Sequence, residues 1–368
     1  MIDLARLHPM RVARGVLRRL MALTDPNLRT PPLPAPAPPP PAPETKADTI
    51  VRMTLEKLAG RVQLPKFSVT FSDRQVYRAD ATYHRERDGY VLELATVDEQ
   101  FNSVNRTREL GSAYLYWLMQ CPPQVRSLSV TLSDGDEPSA ARFAGSANRT
   151  DVVLIPDPYF FRYAGFQSFR DLVDRAPVEW SERSSEIVWR GTSSGHGTFD
   201  PVMGARWPSL AAQRLELILA AKRVPGVDAA LADYRRRDLR PVVLEQAGII
   251  RAPVAEESWA HRKFAIDVDG WTNTWSNLFI RMMLGCCVLK LDSKYGYRQW
   301  YYDRLRPWEH YVPVKADASD LGEKVEWVRA NDAEAARIAA NGQRFAQALT
   351  FEVGQREAVE LITQHWQG

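Results

Sequence analysis

The chain has 368 residues, of which 45% are hydrophobic and 25% charged, with a formal net charge of +3. These values are typical of a soluble globular protein with room for two domains, and so small a positive excess does not indicate a nucleic-acid-binding protein. Its three cysteines, Cys121, Cys286 and Cys287, have neither disulfide nor metal-ligand spacing, so we expect reduced thiols in a cytoplasmic protein. No run of about 18 apolar residues is present, so no membrane-spanning helix is expected.

The first 49 residues differ in character from the rest of the chain. Apolar side chains recur at helical spacing opposite a row of arginines: Val12, Val16, Leu20 and Leu23 against Arg11, Arg14 and Arg18. Two interpretations remain open, a basic amphipathic helix on an anionic membrane surface and an ordinary solvated helix. The stretch "TPPLPAPAPPPPAPETKAD" follows and favours extended polyproline II, so we predict a linker with a domain boundary near residue 49.

Beyond the linker, short apolar runs alternate with helical patterns. "FSVTF", "YVLELAT", "SLSVTLSD", "DVVLIPD", "EIVWRG", "KFAIDVDG", "CCVLKLD" and "HYVPVK" predict strands. "RTRELGSAYLYWLMQC", "SLAAQRLELILAA", "WSNLFIRMML" and "DLGEKVEWVRA" predict helices between them. The alternation predicts an α/β protein with largely parallel sheets, in two Rossmann-like halves facing a cleft. In such folds ligands bind at the carboxyl ends of the strands, so the residues that follow each strand are the candidate site residues.

The segment "EIVWRGTSSGHG" has features of a phosphate site. After the strand come Arg190, Gly191 and Thr192, then further hydroxyls and glycines. Glycines allow backbone amides to approach an anion, and a guanidinium and hydroxyls complete such a site. The alternative is a surface loop without a ligand.

Two further stretches carry charged residues after a strand. "AIDVDGWTNTWSNLFIRMM" predicts a helix whose start can hold a diphosphate, with Arg281 either a ligand or a helix-surface residue. Asp134 with Asp136, and Asp267 with Asp269, form D-x-D patterns. Each pattern fits a metal-diphosphate site or a simple turn, and Asp134 also fits a general base facing a cleft.

The segments "VWRGT", "DVDGWTNTW" and "LGCCVLKLDS" and the long stretch "YYDRLRPWEHYVPVKADASDLGEKVEWVRANDAEAARIAANGQRFA" together resemble glycosyltransferase family 90. The resemblance covers roughly residues 120 to 350. That family includes animal protein O-glucosyltransferases, fungal capsule xylosyltransferases and bacterial LpsA-like lipopolysaccharide glycosyltransferases.

The resemblance implies a GT-B-like fold and an inverting transfer from a UDP-sugar that uses no metal or other cofactor. The implied organisation is an N-terminal helix and linker (1–49), an acceptor-side domain (50–182), a nucleotide-sugar-binding domain (183–345) and a C-terminal helix (346–368).

The family's catalytic base matches Asp134. If Asp134 is not the base, Asp157 and Asp269 are the next candidates. Its W-R-G motif, the arginine before the next apolar helix and its "G…S" loop give most of the positions that bind the sugar donor. With the Thr192 hydroxyl and Arg281 added, the expected donor-binding residues are Arg190, Gly191, Thr192, Arg214, Gly270, Thr274 and Arg281.

The chain has neither the disulfides nor the retrieval tail of the secretory members, which points to the bacterial branch. We therefore expect a lipopolysaccharide, polysaccharide or other glycan acceptor, which can be lipid-linked, and a cytoplasmic enzyme peripheral to the inner face of the inner membrane. Two alternatives remain: a metal-dependent D-x-D transferase of another fold, and a non-catalytic carbohydrate-binding protein.

Overall fold

The structure is a computed structural model that describes residues 44–96, 110–234 and 241–367. These residues belong to one compact unit that begins at Glu44. The N-terminal helix and most of the proline-rich linker predicted from the sequence lie outside the described residues. None of the described helices is long and apolar enough to cross a membrane.

The first part of the unit is built on a six-stranded mixed sheet with the strand order β1-β3-β2-β4-β5-β7. Its strands are β1 Phe67–Ser72, β2 Asp80–Arg85, β3 Tyr90–Ala95, β4 Ser127–Thr131, β5 Phe143–Ala144 and β7 Val153–Leu154. The expectation of largely parallel sheets is wrong for the middle of this sheet, because β2 runs antiparallel to both β3 and β4. A four-residue connection between β2 and β3 can only reverse the chain, since a parallel pair needs a longer crossover.

The second part is built on a five-stranded parallel sheet with the order β13-β11-β10-β8-β9. Its strands are β8 Ser184–Thr192, β9 Val227–Asp233, β10 Arg262–Asp267, β11 Cys287–Leu291 and β13 Val312–Val314. Counted along the chain, this order is the doubly wound 2-1-3-4-5 arrangement, whose direction of winding reverses between β8 and β10. The predicted α/β class is confirmed.

Helices cover both sheets. They are α1 Lys46–Leu58, α2 Ser112–Gln120, α3 Pro158–Arg162, α4 Gln167–Arg175, α5 Pro201–Arg206, α6 Gln213–Ala221, α7 Pro241–Gln246, α8 Asn277–Met283, α9 Leu321–Ala330, α10 Asp332–Ala348 and α11 Phe351–His365. Short 3₁₀ turns lie at Trp180–Glu182, Pro208–Leu210, Glu256–His261 and Tyr302–Arg304.

Two of these helices differ from the sequence-based division of the chain. Helix α1 begins at Lys46, inside the predicted linker, because Thr45 and Asp48 form a capping box. Helix α11 returns to the first sheet, where Ala358 and Ile362 join its buried core. The chain therefore crosses from the second sheet back to the first between α10 and α11.

A short antiparallel ribbon connects the two parts. Its strands are β6 Ser146–Ala147 and β12 Arg298–Gln299, in which Ser146 pairs with Gln299 and Ala147 with Arg298. The aromatic segment around β12 mostly packs the second part: Tyr301, which is 1% exposed, contacts the rings of Phe279 and Phe345. The ribbon places this segment beside the loop that follows β4.

Candidate functional site

The loops that follow β8 and β10 meet at the carboxyl edge of the second sheet, at the point where its winding reverses. Arg214, the second residue of α6, joins them. Its Nε donates to the carbonyl oxygen of Asp269 at 3.1 Å, and its Nη1 donates to the carbonyl oxygen of Thr192 at 3.0 Å and to Ser194 Oγ at 2.6 Å. One guanidinium therefore fixes the backbone of both loops.

Arg214 is a cation held among protein groups. The residue is half-buried and keeps some exposed surface, and burial lowers the pKa of Arg214 to about 10 against the opposing effect of Asp267 and Asp269. It lies 5.8 Å from the centre of the Trp189 ring. That ring lies over Gly191, where an added Cβ would come within 2.4 Å of it. Gly191 therefore makes room for the indole that packs beneath Arg214.

Gly270 leaves one edge of the guanidinium uncovered. A Cβ at Gly270 would lie 2.9 Å from Nη2 of Arg214 and 2.7 Å from Ser194 Oγ. Among the described residues, Nη2 makes no hydrogen bond. A glycine here keeps a charged N–H edge open at the sheet's carboxyl end, where a backbone and a guanidinium can bind an anion together.

Asp267 ends β10 and organises the residues after it. It is fully buried, and its Oδ1 accepts hydrogen bonds from Thr274 Oγ1 at 2.7 Å and from Asn277 Nδ2 at 2.8 Å. Lys290, on the neighbouring strand β11, brings its Nζ to 3.8 Å from Oδ2 of Asp267. Thr274 therefore serves to hold the loop through Asp267 in this structure.

Asp269 lies two residues further along the same loop. It is 4% exposed, and neither of its carboxylate oxygens has a hydrogen-bond partner among the described residues. Burial raises the pKa of Asp269 to about 6, although the charge of Lys290 opposes this. The Ser293 hydroxyl also favours the charged form, but it does not reach hydrogen-bonding geometry with either oxygen.

Asp134 lies in the turn after β4, beside the ribbon that connects the two sheets. The next residue, Gly135, adopts φ +100°, and a Cβ there would come within 2.5 Å of the carbonyl oxygen of Ser146. Ser146 Oγ accepts a hydrogen bond from Asn273 Nδ2, which belongs to the loop after β10. The turn that carries Asp134 is therefore held against the loop that carries Gly270 and Thr274.

The buried carboxylate of Asp157 lies near Asp134, which is itself only half-buried. Asp157 caps α3, accepting from the backbone N–H groups of Tyr159 and Phe160, and burial raises its pKa to about 6. The charges of Asp157 and Asp134 add to burial in raising the pKa of Tyr114, so both carboxylates lie close to that hydroxyl. The structure thus brings Asp134 and Asp157 to one place, with Asp157 already engaged as a helix cap.

The loop between Asn273 and α8 contains a strained residue. Trp275 adopts φ +52°, which is uncommon for a bulky side chain. Its backbone N–H donates to Asn273 Oδ1 at 2.6 Å, and its ring lies 5.3 Å from that of Tyr159 in the first part of the unit. Strain of this kind persists where the surroundings fix it, and it clusters at ligand sites.

A family model described as glycosyl transferase family 90 matches residues 119–353, which is more than half of the chain. The chain belongs to glycosyl transferase family 90. The matched range contains the second sheet with all of its loops, the ribbon, and the turn that carries Asp134.

Individual relatives support the same membership. The chain is 44% identical to human protein O-glucosyltransferase 3 over 216 residues, which are 56% of this chain and 38% of the human protein. It is 30% identical to an uncharacterized protein of invertebrate iridescent virus 3 over 177 residues, which are 45% of this chain and 15% of the viral protein. The chain thus covers less than two fifths of the length of these relatives, so the activity of a whole relative does not transfer directly.

A solved structure with partial similarity is the Anabaena protein HepE in complex with UDP-glucose. It aligns with a TM-score of 0.35 and 12% sequence identity over 54% of this chain and 53% of that protein. Agreement at this level is too low to support an inference about the site.

Five of the donor-binding positions expected for a family 90 protein come together at the carboxyl edge of the second sheet: Gly191, Thr192, Arg214, Gly270 and Thr274. We call these residues, together with Asp267 and Asp269, the cluster. Arg190 does not face it. Its Nη1 donates to the carbonyl oxygen of Asp228 at 2.7 Å, its Nη2 pairs with the Asp228 carboxylate, and its Nε donates to the carbonyl oxygen of Ala252 at 3.1 Å. The roles of Arg190 and Arg214 in binding the sugar donor therefore stay predictions, and in this structure Arg214 lies in the cluster whereas Arg190 does not.

Arg281 also lies away from the cluster. It is 4% exposed, pairs with Glu256, and lies 4.0 Å from the centre of the Trp259 ring. Glu256 and Trp259 precede β10, whereas the cluster follows it. A helix that follows a strand runs back along the sheet, so Arg281 is carried toward the amino ends of the strands.

Lys290 was not singled out in the sequence, although it contacts the cluster through Asp267. The signal for Lys290 was present: it is a charged residue inside the apolar run "CCVLKLD", and lysine is rarely buried unless it is paired. Within the described ranges, no three His, Cys, Asp or Glu side chains are grouped closely enough to hold a metal ion.

Proposed function

We propose that this chain is an inverting glycosyltransferase that moves a hexose or pentose from a UDP-sugar to an acceptor hydroxyl without a metal ion. The observation that carries the proposal is the open Nη2 edge of Arg214 beside Gly270, at the carboxyl edge of a doubly wound sheet. A nucleotide diphosphate binds at this edge in such sheets. Family membership supports the same chemistry.

In this proposal the diphosphate lies against Arg214 and the backbone of Gly270, while Asp134 faces the acceptor from the other side of the ribbon. Asp134 takes the proton of the acceptor hydroxyl, and the oxygen attacks the anomeric carbon. The new C–O bond forms as the bond from the anomeric carbon to the diphosphate oxygen breaks. The charge that develops on UDP is stabilised by the guanidinium.

Metal independence is part of the proposal. In the second D-x-D pattern, Oδ1 of Asp267 is occupied by Thr274 and Asn277, and Lys290 stands beside Oδ2. In this proposal the fixed guanidinium of Arg214 supplies the positive charge that a metal ion would bring. A metal-dependent D-x-D transferase is the alternative, together with a carbohydrate-binding protein without turnover.

We also propose the GT-B-like arrangement expected from the family, in which the part built on the first sheet binds the acceptor and the part built on the second sheet binds the sugar donor. The acceptor is a lipopolysaccharide, polysaccharide or other glycan, and the N-terminal segment holds the enzyme peripherally at the inner face of the inner membrane. Because the human relative is named a protein O-glucosyltransferase, UDP-glucose is the first sugar donor to test.

The test is a UDP-release assay on the purified full-length chain. UDP-glucose, UDP-xylose and UDP-galactose are offered with and without glycan acceptors, each in the presence and absence of EDTA. We expect thermal stabilisation by at least one UDP-sugar, acceptor-dependent UDP release, and no effect of EDTA. Loss of activity with EDTA would favour the metal-dependent alternative, and binding without release across the acceptors would favour the non-catalytic one.

A further inference from the structure

The carboxylate of Asp269 lies in the cluster without a hydrogen-bond partner among the described residues. Its carbonyl oxygen is held by Arg214, so its position in the loop is fixed. Its side chain is nearly fully buried, yet both carboxylate oxygens lack a hydrogen-bond donor among the described residues. Buried polar atoms in native proteins are almost always paired, so an orphaned carboxylate at a site needs an explanation.

Other buried polar atoms in this part of the structure are also unpaired among the described residues. Within the described part of the chain, Oδ2 of Asp267, Oγ1 of Thr272 and the hydroxyl of Tyr302 are also buried without a hydrogen-bond partner, although Lys290 Nζ lies 3.8 Å from Oδ2 of Asp267. The charges of Asp267 and Asp269 both act on the Tyr302 hydroxyl, so these groups lie near one another. Three neighbouring groups with unmet hydrogen bonds, and a fourth at Thr272 three residues after Asp269 in the same loop, indicate a ligand-binding position more strongly than one group would.

The chemistry of these atoms limits what the occupant is. An ionised carboxylate only accepts hydrogen bonds, whereas threonine and tyrosine hydroxyls both donate and accept. A phosphate does not fit here, because its charge would face the carboxylates of Asp267 and Asp269. A group with adjacent hydroxyls fits, since it can donate to the carboxylates and exchange hydrogen bonds with the hydroxyls.

We propose that Asp269 binds a pair of adjacent hydroxyls on the nucleotide sugar, either on the ribose or on the transferred sugar, and so determines which UDP-sugar is accepted. This inference rests on the proposed function, because it takes a UDP-sugar as the ligand of the cluster. The diphosphate then lies at Arg214 while a hydroxylated ring lies at Asp269. These two residues are already linked, because Arg214 Nε donates a hydrogen bond to the carbonyl oxygen of Asp269.

The experiment measures binding by calorimetry to the wild-type chain, Asp269→Asn and the control Asp292→Asn. Asp292 is an exposed carboxylate just after the neighbouring strand β11, so it matches Asp269 in type and place but not in burial. The ligands are UDP, 2′,3′-dideoxyuridine diphosphate and UDP-glucose. We expect Asp269→Asn to weaken binding about 10- to 100-fold for the ligand that carries the recognised hydroxyls, and Asp292→Asn to leave it unchanged.

The ligands separate the two sources. If Asp269 holds the ribose, UDP loses affinity for the variant, and the dideoxy analogue binds the wild-type chain as weakly as UDP binds the variant. If it holds the transferred sugar, UDP is unaffected and UDP-glucose alone loses affinity. The comparison of UDP with its dideoxy analogue on the wild-type chain needs no variant, so even where Asp269→Asn fails to fold, equal affinities of the two would overturn a role of Asp269 in binding the ribose.

Two results would overturn the assignment of Asp269 while leaving the proposed function intact. In the first, Asp269→Asn binds UDP as tightly as the wild-type chain does, and likewise UDP-glucose. In the second, Asp269→Asn lowers kcat with unchanged affinity, which would make Asp269 a base. Binding of no UDP-sugar by the wild-type chain would instead overturn the proposed function itself.

Discussion

The Nε of Arg214 donates a 3.1 Å hydrogen bond to the backbone carbonyl of Asp269. These residues are 55 positions apart in the chain and come from α6 and the loop after β10. Through this bond Arg214, which we propose binds the diphosphate, also positions Asp269, which we propose binds the hydroxyls of the nucleotide sugar. Any change at Arg214 is therefore expected to disturb both groups together.

Arg214→Ala is expected to weaken UDP binding about 10- to 100-fold, because it removes a buried charge and four hydrogen bonds that hold two loops. Arg190→Ala is the matched comparison, since Arg190 is the nearby arginine that pairs with Asp228 instead. We expect it to lower the melting temperature but to change UDP affinity less than threefold. Calorimetric titration of both variants with UDP measures these affinities. A larger loss of UDP affinity in Arg190→Ala than in Arg214→Ala would indicate that Arg190 is the phosphate ligand.

Asp269→Asn is expected to stabilise the ligand-free chain at pH 7.5. Burial raises the pKa of Asp269 to about 6 from an ordinary value of 3.8, so the folded state binds this proton more tightly than the unfolded state. Its contribution to stability therefore falls as pH rises from about 4 to 6 and stays low above that range. Removing the titration should raise the free energy of unfolding at pH 7.5 by on the order of 2 kcal/mol relative to its effect at pH 4.

Urea unfolding of the wild-type chain and Asp269→Asn at the two pH values measures this difference. Asp292→Asn serves as the control, because that carboxylate is exposed and should respond equally at both. A variant effect that is the same at pH 4 and pH 7.5 would contradict the raised pKa. A gain in stability with a loss of sugar-donor affinity is the pattern expected where a site keeps an unpaired charge for its ligand.

The sequence predicts the second sheet better than the first, for a physical reason. Strands buried on both faces, such as β10 and β11, read as continuous apolar runs ended by turn residues. The strands β2, "DATYHR", and β9, "VDAALAD", were not predicted, because the first is polar and the second is rich in alanine, a helix former. What remained hidden is the mixed pairing of the first sheet.

The sequence predicts where the candidate site lies, but not which residues contact one another there. Residues after the strands could be chosen because parallel strands end at one edge. Which arginine faces that edge depends on pairs such as Arg190 with Asp228, 38 positions apart, and sequence spacing does not reveal such pairs. For the same reason the unpaired state of Asp269 becomes visible only when its neighbours are placed around it.

Deletion of residues 1–43 is expected to leave UDP binding and folding of the compact unit unchanged, since the unit begins at Glu44. If the N-terminal segment binds anionic membranes, the deletion should abolish sedimentation with phosphatidylglycerol vesicles, and unchanged sedimentation would contradict the membrane proposal. Deletion of residues 1–45 is the informative comparison. It also removes the Thr45 cap of α1, so it should cost about 1 kcal/mol of stability, as should Thr45→Ala.

Asp134→Asn and Asp136→Asn together test the catalytic base. Asparagine keeps the size of aspartate but cannot take the acceptor's proton, so Asp134→Asn should lower kcat by about 10²–10⁴. UDP affinity should stay within twofold, because Asp134 lies in the turn after β4 and not among the loops of the second sheet. Asp136 is exposed two residues further on, and its substitution should reduce kcat less than threefold.

A metal-binding D-x-D would behave differently, with both variants losing activity and EDTA reproducing the loss in the wild-type chain. If Asp134→Asn turns over normally, the base lies elsewhere, and Asp157 is the first place to look because its carboxylate is close to the same Tyr114 hydroxyl. Asp157→Asn keeps the helix cap through its amide oxygen, so a fall in kcat there, with folding intact, would assign the proton transfer to Asp157.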